Sequence, residues 1–200
     1  MSDFFAERRI DADGTPVRCL ERGQGETVVT LHGDTGAAPT ALEQLLAQKF
    51  RVIALENPAF AARAPQDAAR LVARALAGAG IGRYALIASG PAAPAALCHA
   101  AEAAAPPVTL VLLSPASAET HLGDIKMPTL ILIGTKDDQA TQEASRVCAE
   151  RIRESYPMLV YDAGAAMATE RPAALFEAVA DFLERGGRFV LERQESVISP

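Results

Sequence analysis

The sequence predicts an α/β fold: a mostly parallel central sheet, an N-terminal antiparallel hairpin, and helices on both faces. Three observations predict it. Short, continuously apolar runs with β-branched residues recur along the chain, as expected of strands buried on both faces. Segments with apolar residues at helical spacing lie between them, the mark of helices packed on a sheet. Ahead of the series, residues 4–10 and 16–20 flank Asp13-Gly14, a turn pair typical of hairpins.

Taken in order, the expected parallel strands are 27–31, 51–55, 84–87, 108–113, 129–133 and 158–161. Ala68, Leu71, Val72, Ala75 and Leu76 form one helical stripe, and Ala144, Val147, Cys148 and Ile152 a second. The last helix carries Leu175, Phe176, Val179, Phe182 and Leu183, with Pro172 suited to its first turn. Gly78-Ala79-Gly80-Ile81-Gly82 follows a helix and precedes a strand, the reverse of what pyrophosphate binding needs, so it reads as a helix end and turn. No linker or composition shift divides the chain. A single domain over 1–200 is expected, its core about 7–185, with 188–200 an unplaced tail.

Composition narrows the function classes. Half of the 200 residues are hydrophobic, but 41 are alanine, so bulky core-forming side chains are fewer than that share suggests. No apolar run approaches the ~18 residues of a spanning helix, and the N-terminus has no basic segment followed by an apolar stretch. The expectation is a soluble, cytoplasmic protein without membrane contact. Net charge is −6 with no Lys/Arg cluster, which argues against a nucleic-acid partner. Cys19, Cys98 and Cys148 are odd in number and widely spaced, giving neither a disulfide framework nor a zinc pattern. No metal and no cofactor is expected.

In open parallel sheets, ligands bind beyond the carboxyl ends of the strands. The loops there begin His32-Gly33-Asp34, Glu56-Asn57-Pro58, Ser89-Gly90-Pro91, Gly134-Thr135-Lys136-Asp137 and Gly164-Ala165, the last followed by Glu170-Arg171-Pro172. Singly, each is ordinary turn chemistry. In this order, over about 7–185, they resemble the α/β-hydrolase family. The resemblance implies an oxyanion loop at His32-Gly33, a nucleophile elbow after the third parallel strand, an acid at Asp137 and a base position at Ala165.

The departures from that pattern carry most of the reading. The elbow needs small residues two before and two after the nucleophile. Ala88 and Ala92 meet this only when Gly90 is the nucleophile position, so the nucleophile is absent. Pro91 follows it and has no N–H for the oxyanion hole. Ala165 stands in place of the base, and no histidine follows it. Only Asp137 survives. The expectation is a degenerate hydrolase that has lost Ser-His-Asp activity. It would bind a small-molecule ligand or a protein partner at the former active-site mouth, through His32, Gly33, Asp34, Gly90 and Pro91. The alternative is an esterase-like hydrolase of a small ester or acyl substrate, with Ser89 as nucleophile and His121 as base near Asp137. Residues 115–127 leave no room for a cap, so a shallow, open pocket and a homo-oligomer covering exposed apolar residues are expected. His99 and Cys98 read as packed residues of the helix after the elbow.

Overall fold

The computed structural model describes residues 4–34, 36, 38–118, 121–188 and 197–198. Its sheet has the order β1-β2-β4-β3-β5-β6-β7-β8-β9. β1 (Ala6–Ala12) and β2 (Thr15–Arg22) form the antiparallel hairpin, and β2 continues antiparallel to β4 (Arg51–Glu56). Asp13 and Gly14 both have positive φ, 52° and 80°, the twist that a two-residue hairpin turn requires. β3 (Thr27–His32), β5 (Ala85–Ser89), β6 (Thr109–Leu113), β7 (Thr129–Gly134) and β8 (Ser155–Val160) run parallel, with β3 also parallel to β4.

Because side chains alternate across each strand, the sheet separates two apolar layers. Val29, Leu31, Leu86 and Leu112 pack on one side with Leu71 and Val72 of α3 (Pro65–Gly78), Ala96 and Leu97 of α4 (Ala93–Glu102) and Cys148 of α5 (Gln139–Arg151). Val28, Ile87, Val111 and Leu130 pack on the other with Leu42 and Leu46 of α1 (Ala41–Leu46), Met167 of α6 (Met167–Glu170) and Val179 and Phe182 of α7 (Pro172–Arg185). The short helix α2 (Ala59–Ala62) buries Phe60 against the first layer. No helix among the described residues is long and apolar enough to cross a membrane.

Most strands lie within one or two residues of expectation, and two segments differ more. The last large strand lies at Ser155–Val160, not 158–161, because it is set by register with β7, from Thr129↔Ser155 to Gly134↔Val160. Within the tail, Val197–Ile198 (β9) adds a short parallel pairing to β8, while 189–196 and 199–200 lie outside the described residues. Only residues 114–128 separate β6 from β7. The described part of that segment contains a single 3₁₀ turn, Leu122–Asp124, and no cap.

Candidate functional site

The expected loops follow the carboxyl ends of the parallel strands, and of the expected residues His32, Ser89 and Ala165 line one cavity. Ser89 ends β5 in an extended conformation (φ −123°, ψ 147°), and the chain then turns at Gly90, whose φ is +46°. The left-handed residue of the elbow is therefore Gly90. Ala88 and Ala92, on either side of it, are fully buried where helix and strand approach. A Cβ built on Gly90 would have no neighbour within 4 Å, so space does not explain the glycine. Pro91 occupies the first turn of the 3₁₀ segment that leads into α4.

Asp137 is 9 % exposed. Its Oδ2 accepts hydrogen bonds from Ser114 Oγ (2.6 Å) and the Gly134 amide (2.8 Å). Its Oδ1 is buried with no partner among the described residues. The backbone holds the loop after β8 against this acid. At Gly134 a Cβ would fall 2.3 Å from the Ala163 carbonyl oxygen, and at Gly164 a Cβ would stand 3.6 Å from Asp137 Oδ1. The next residue is Ala165, which has nothing to donate. Carboxylate and loop thus stand together.

A second buried carboxylate, Glu43, lies across the mouth and was not singled out in the sequence. It is 2 % exposed and accepts from four donors. Thr30 Oγ1 and His32 Nε2 (2.8 Å) reach Oε1; the Thr40 amide (2.7 Å) and Thr40 Oγ1 (3.0 Å) reach Oε2. Thr40 Oγ1 in turn caps the Glu43 amide, so the cluster is the capping box of α1. Burial pushes the Glu43 carboxyl up, but the imidazole and hydroxyl partners outweigh it and hold its pKa below the usual range. Burial likewise pushes His32 down, but Glu43, with Asp34 and Glu56 behind it, raises its pKa above the ordinary value. Glu56 in turn accepts from Arg18 (2.7 Å) and the Gly36 amide (3.0 Å), fixing the loop between β3 and α1. Asp34 is exposed on that loop, and Gly33 packs so closely on Ala61 that a Cβ there would clash.

Beside His32 and Glu43 lies a cavity of about 130 Å³ lined by Thr30, His32, Glu43, Ile87, Ser89 and Leu113, with Ala165, Ala166, Ala168 and Thr169 on its rim. This small chamber is open to solvent, with residues of α1 and α6 among its walls. Among the described residues, the exposed large hydrophobic residues are Phe4, Val108, Leu159 and Tyr161, none of which lines this chamber. A larger groove of about 500 Å³ opens at the opposite, amino ends of β3, β5 and β6. There Glu184 and Arg185 are held in ion pairs with Lys49 and Asp181.

The structure does not bring His121 to Ser89 or Asp137. It precedes the 3₁₀ turn packed against α4 and α5, is half exposed, and faces Asp124 at 3.7 Å. His99 is 3 % exposed inside the core beside Tyr84 Oη (2.6 Å), and burial lowers its pKa to about 4. Cys98 is buried in the same helix. No group of three or more potential metal ligands occurs among the described residues.

Neither a protein-family model nor a curated protein sequence matches the chain. Solved structures do match its fold. A serine hydrolase involved in carbazole degradation superposes with a TM-score of 0.77 at 16 % identity, covering 90 % of this chain and 99 % of that one. A CIB-like hydrolase from Thermoplasma acidophilum gives 0.75 at 19 % identity, covering 90 % and 97 %. Carboxylesterase CesB from Bacillus subtilis gives 0.74 at 13 % identity, covering 90 % and 91 %. The protein has the α/β-hydrolase fold.

Proposed function

We propose that the protein is a non-hydrolytic member of this fold that binds a small ligand at the former active-site mouth. The observation that carries the reading is the buried, unpartnered Oδ1 of Asp137, facing a loop that offers alanine where a histidine relay would need its imidazole. Two further features support it. The strained residue of the elbow is a glycine, and the residue after it is a proline. Losing one oxyanion donor alone typically costs ~10²–10³ in rate, and here nucleophile and base are missing as well. The cavity beside Ser89 is the space in which a ligand would sit.

The reading predicts that p-nitrophenyl acetate is hydrolysed no faster by the wild-type protein than by Ser89→Ala, and that a fluorophosphonate probe leaves Ser89 unlabelled. Turnover above background that vanishes in Ser89→Ala would show a working hydrolase and overturn the proposal.

A further inference from the structure

We infer that the chamber beneath the mouth is a binding site for a short-chain aliphatic carboxylate, with His32 and Ser89 donating to its two oxygens. The inference rests on the non-hydrolytic reading and names the ligand class of that same site.

Strand register places the two donors together. Thr30 and Ile87 are partners across parallel β3 and β5, so His32 and Ser89, two residues further on, share one face on strands ~4.8 Å apart. Both line the chamber. The Glu43 carboxylate, filled by four donors, takes the Nε2–H of His32 and leaves Nδ1 as the working nitrogen. Among the described residues neither Nδ1 nor Ser89 Oγ has a hydrogen-bond partner in the protein. A proton on Nδ1 gives two convergent donors, one of them charged, which is what a carboxylate requires.

The rest of the chamber fits a short alkyl chain. Leu42, Leu46, Ile87 and Leu113 form its walls, and a cavity of ~150 Å³ takes a six-atom ring. About 130 Å³ therefore suits the six non-hydrogen atoms of butyrate. The charges facing His32 are Glu43 from α1, Asp34 from the following loop and Glu56 from the end of β4. Glu56 is balanced by Arg18, and Asp34 is exposed. The anion thus enters beside an imidazolium already paired with Glu43, and binding takes up a proton whenever His32 starts neutral.

The test is calorimetric titration of the full chain with sodium butyrate, with butyramide as the uncharged isostere and sodium chloride as the salt control. Saturable butyrate binding is expected with a Kd of about 1 mM or below, at least about fivefold tighter near pH 6 than near pH 8.5. Ser89→Ala should weaken it by about fivefold, the equivalent of one hydrogen bond, and His32→Gln by tenfold or more. Should His32→Gln fail to fold because Glu43 loses its partner, Ala168→Leu narrows the chamber without touching the polar cluster and should also abolish binding. Equal affinity for butyramide, no saturable binding, or binding unchanged in Ala168→Leu would overturn the carboxylate site. Those results leave the non-hydrolytic reading standing, since that fails only through Ser89-dependent turnover.

Discussion

Three carboxylates are buried at the same end of one sheet; Glu56 is paired with Arg18, and the surroundings of the other two, Glu43 and Asp137, are opposite. Glu43 has every acceptor position occupied, by two threonines and a histidine. Asp137 has one oxygen doubly bonded and the other with nothing. A buried carboxylate is stable in proportion to the donors it receives. The first is therefore a finished structural element, while the second has an acceptor oxygen without a donor among the described residues. A carboxylate–histidine pair stands on the His32 side, and none is found at Asp137 among the described residues. The polar apparatus of the mouth is concentrated around β3 and α1, away from the elbow.

The sharpest way to break this comparison is Glu43→Ala. It leaves the His32, Thr30 and Thr40 donors buried without their acceptor and removes a helix cap, and should cost about 3–5 kcal/mol in urea unfolding. A loss below about 1 kcal/mol would mean that water replaces the carboxylate, and the distinction between the two sites would fall.

Acid titration gives the next effect, through a histidine that has no carboxylate beside it. His99 has a folded-state pKa of about 4, depressed by burial, against an ordinary unfolded value of ~6.5. Below pH ~6.5 the unfolded chain takes up the proton first, so stability falls as pH drops toward 4, by about 3 kcal/mol at the lower limit. His32 acts with the other sign. Its raised pKa contributes stability that is fully present below ~6.5 and is lost as pH rises through the folded value. Unfolding midpoints from pH 4 to 8 for wild type and His99→Phe separate them: the variant should lose most of the slope between pH ~6.5 and ~5, keep the part below that which Glu43 contributes, and keep any alkaline slope.

The smallest effect is expected at the incomplete site. Asp137→Asn keeps an oxygen for Ser114 and Gly134 and removes a charge whose other oxygen has no donor. Stability should change by no more than about 1 kcal/mol. A loss as large as that of Glu43→Ala would show that Asp137 is held by partners beyond those two donors.

Much of the fold was legible because the parallel strands carry their own signal. Runs such as Thr129–Gly134 are buried throughout and apolar from Leu130 to Ile133, and the Asp13-Gly14 turn announces the hairpin. β8 was misplaced by its polar start: Ser155, Tyr156 and Pro157 look unlike a strand, and their place comes from pairing with β7. The turn after β5 was readable in Ala88 and Ala92, whose small side chains are buried where helix meets strand. Glu43 was missed, although Thr40-Ala41-Leu42-Glu43 is a capping-box pattern that marks the start of a helix. That pattern says where a helix begins; that its glutamate reaches back to His32 depends on the path of the loop between them. His121 is expected near the mouth from its place after β6; in the structure its ionic partner is Asp124, and it does not line the cavity beside Ser89.

Rebuilding the relay around Asp137 tests the central claim most directly. Gly90→Ser with Ala165→His supplies a nucleophile at the open, left-handed elbow position and a donor for the free Oδ1, while Pro91 still withholds its N–H. Initial rates of p-nitrophenyl acetate hydrolysis should be near background for that double variant. They should rise at least about tenfold when Pro91→Met is added, because triad and oxyanion donor act on one transition state. The gain should disappear with Asp137→Asn. A double variant that already turns over rapidly, unchanged by Pro91→Met or by Asp137→Asn, would contradict the assignment of Gly90, Pro91 and Asp137 to a dismantled hydrolase centre.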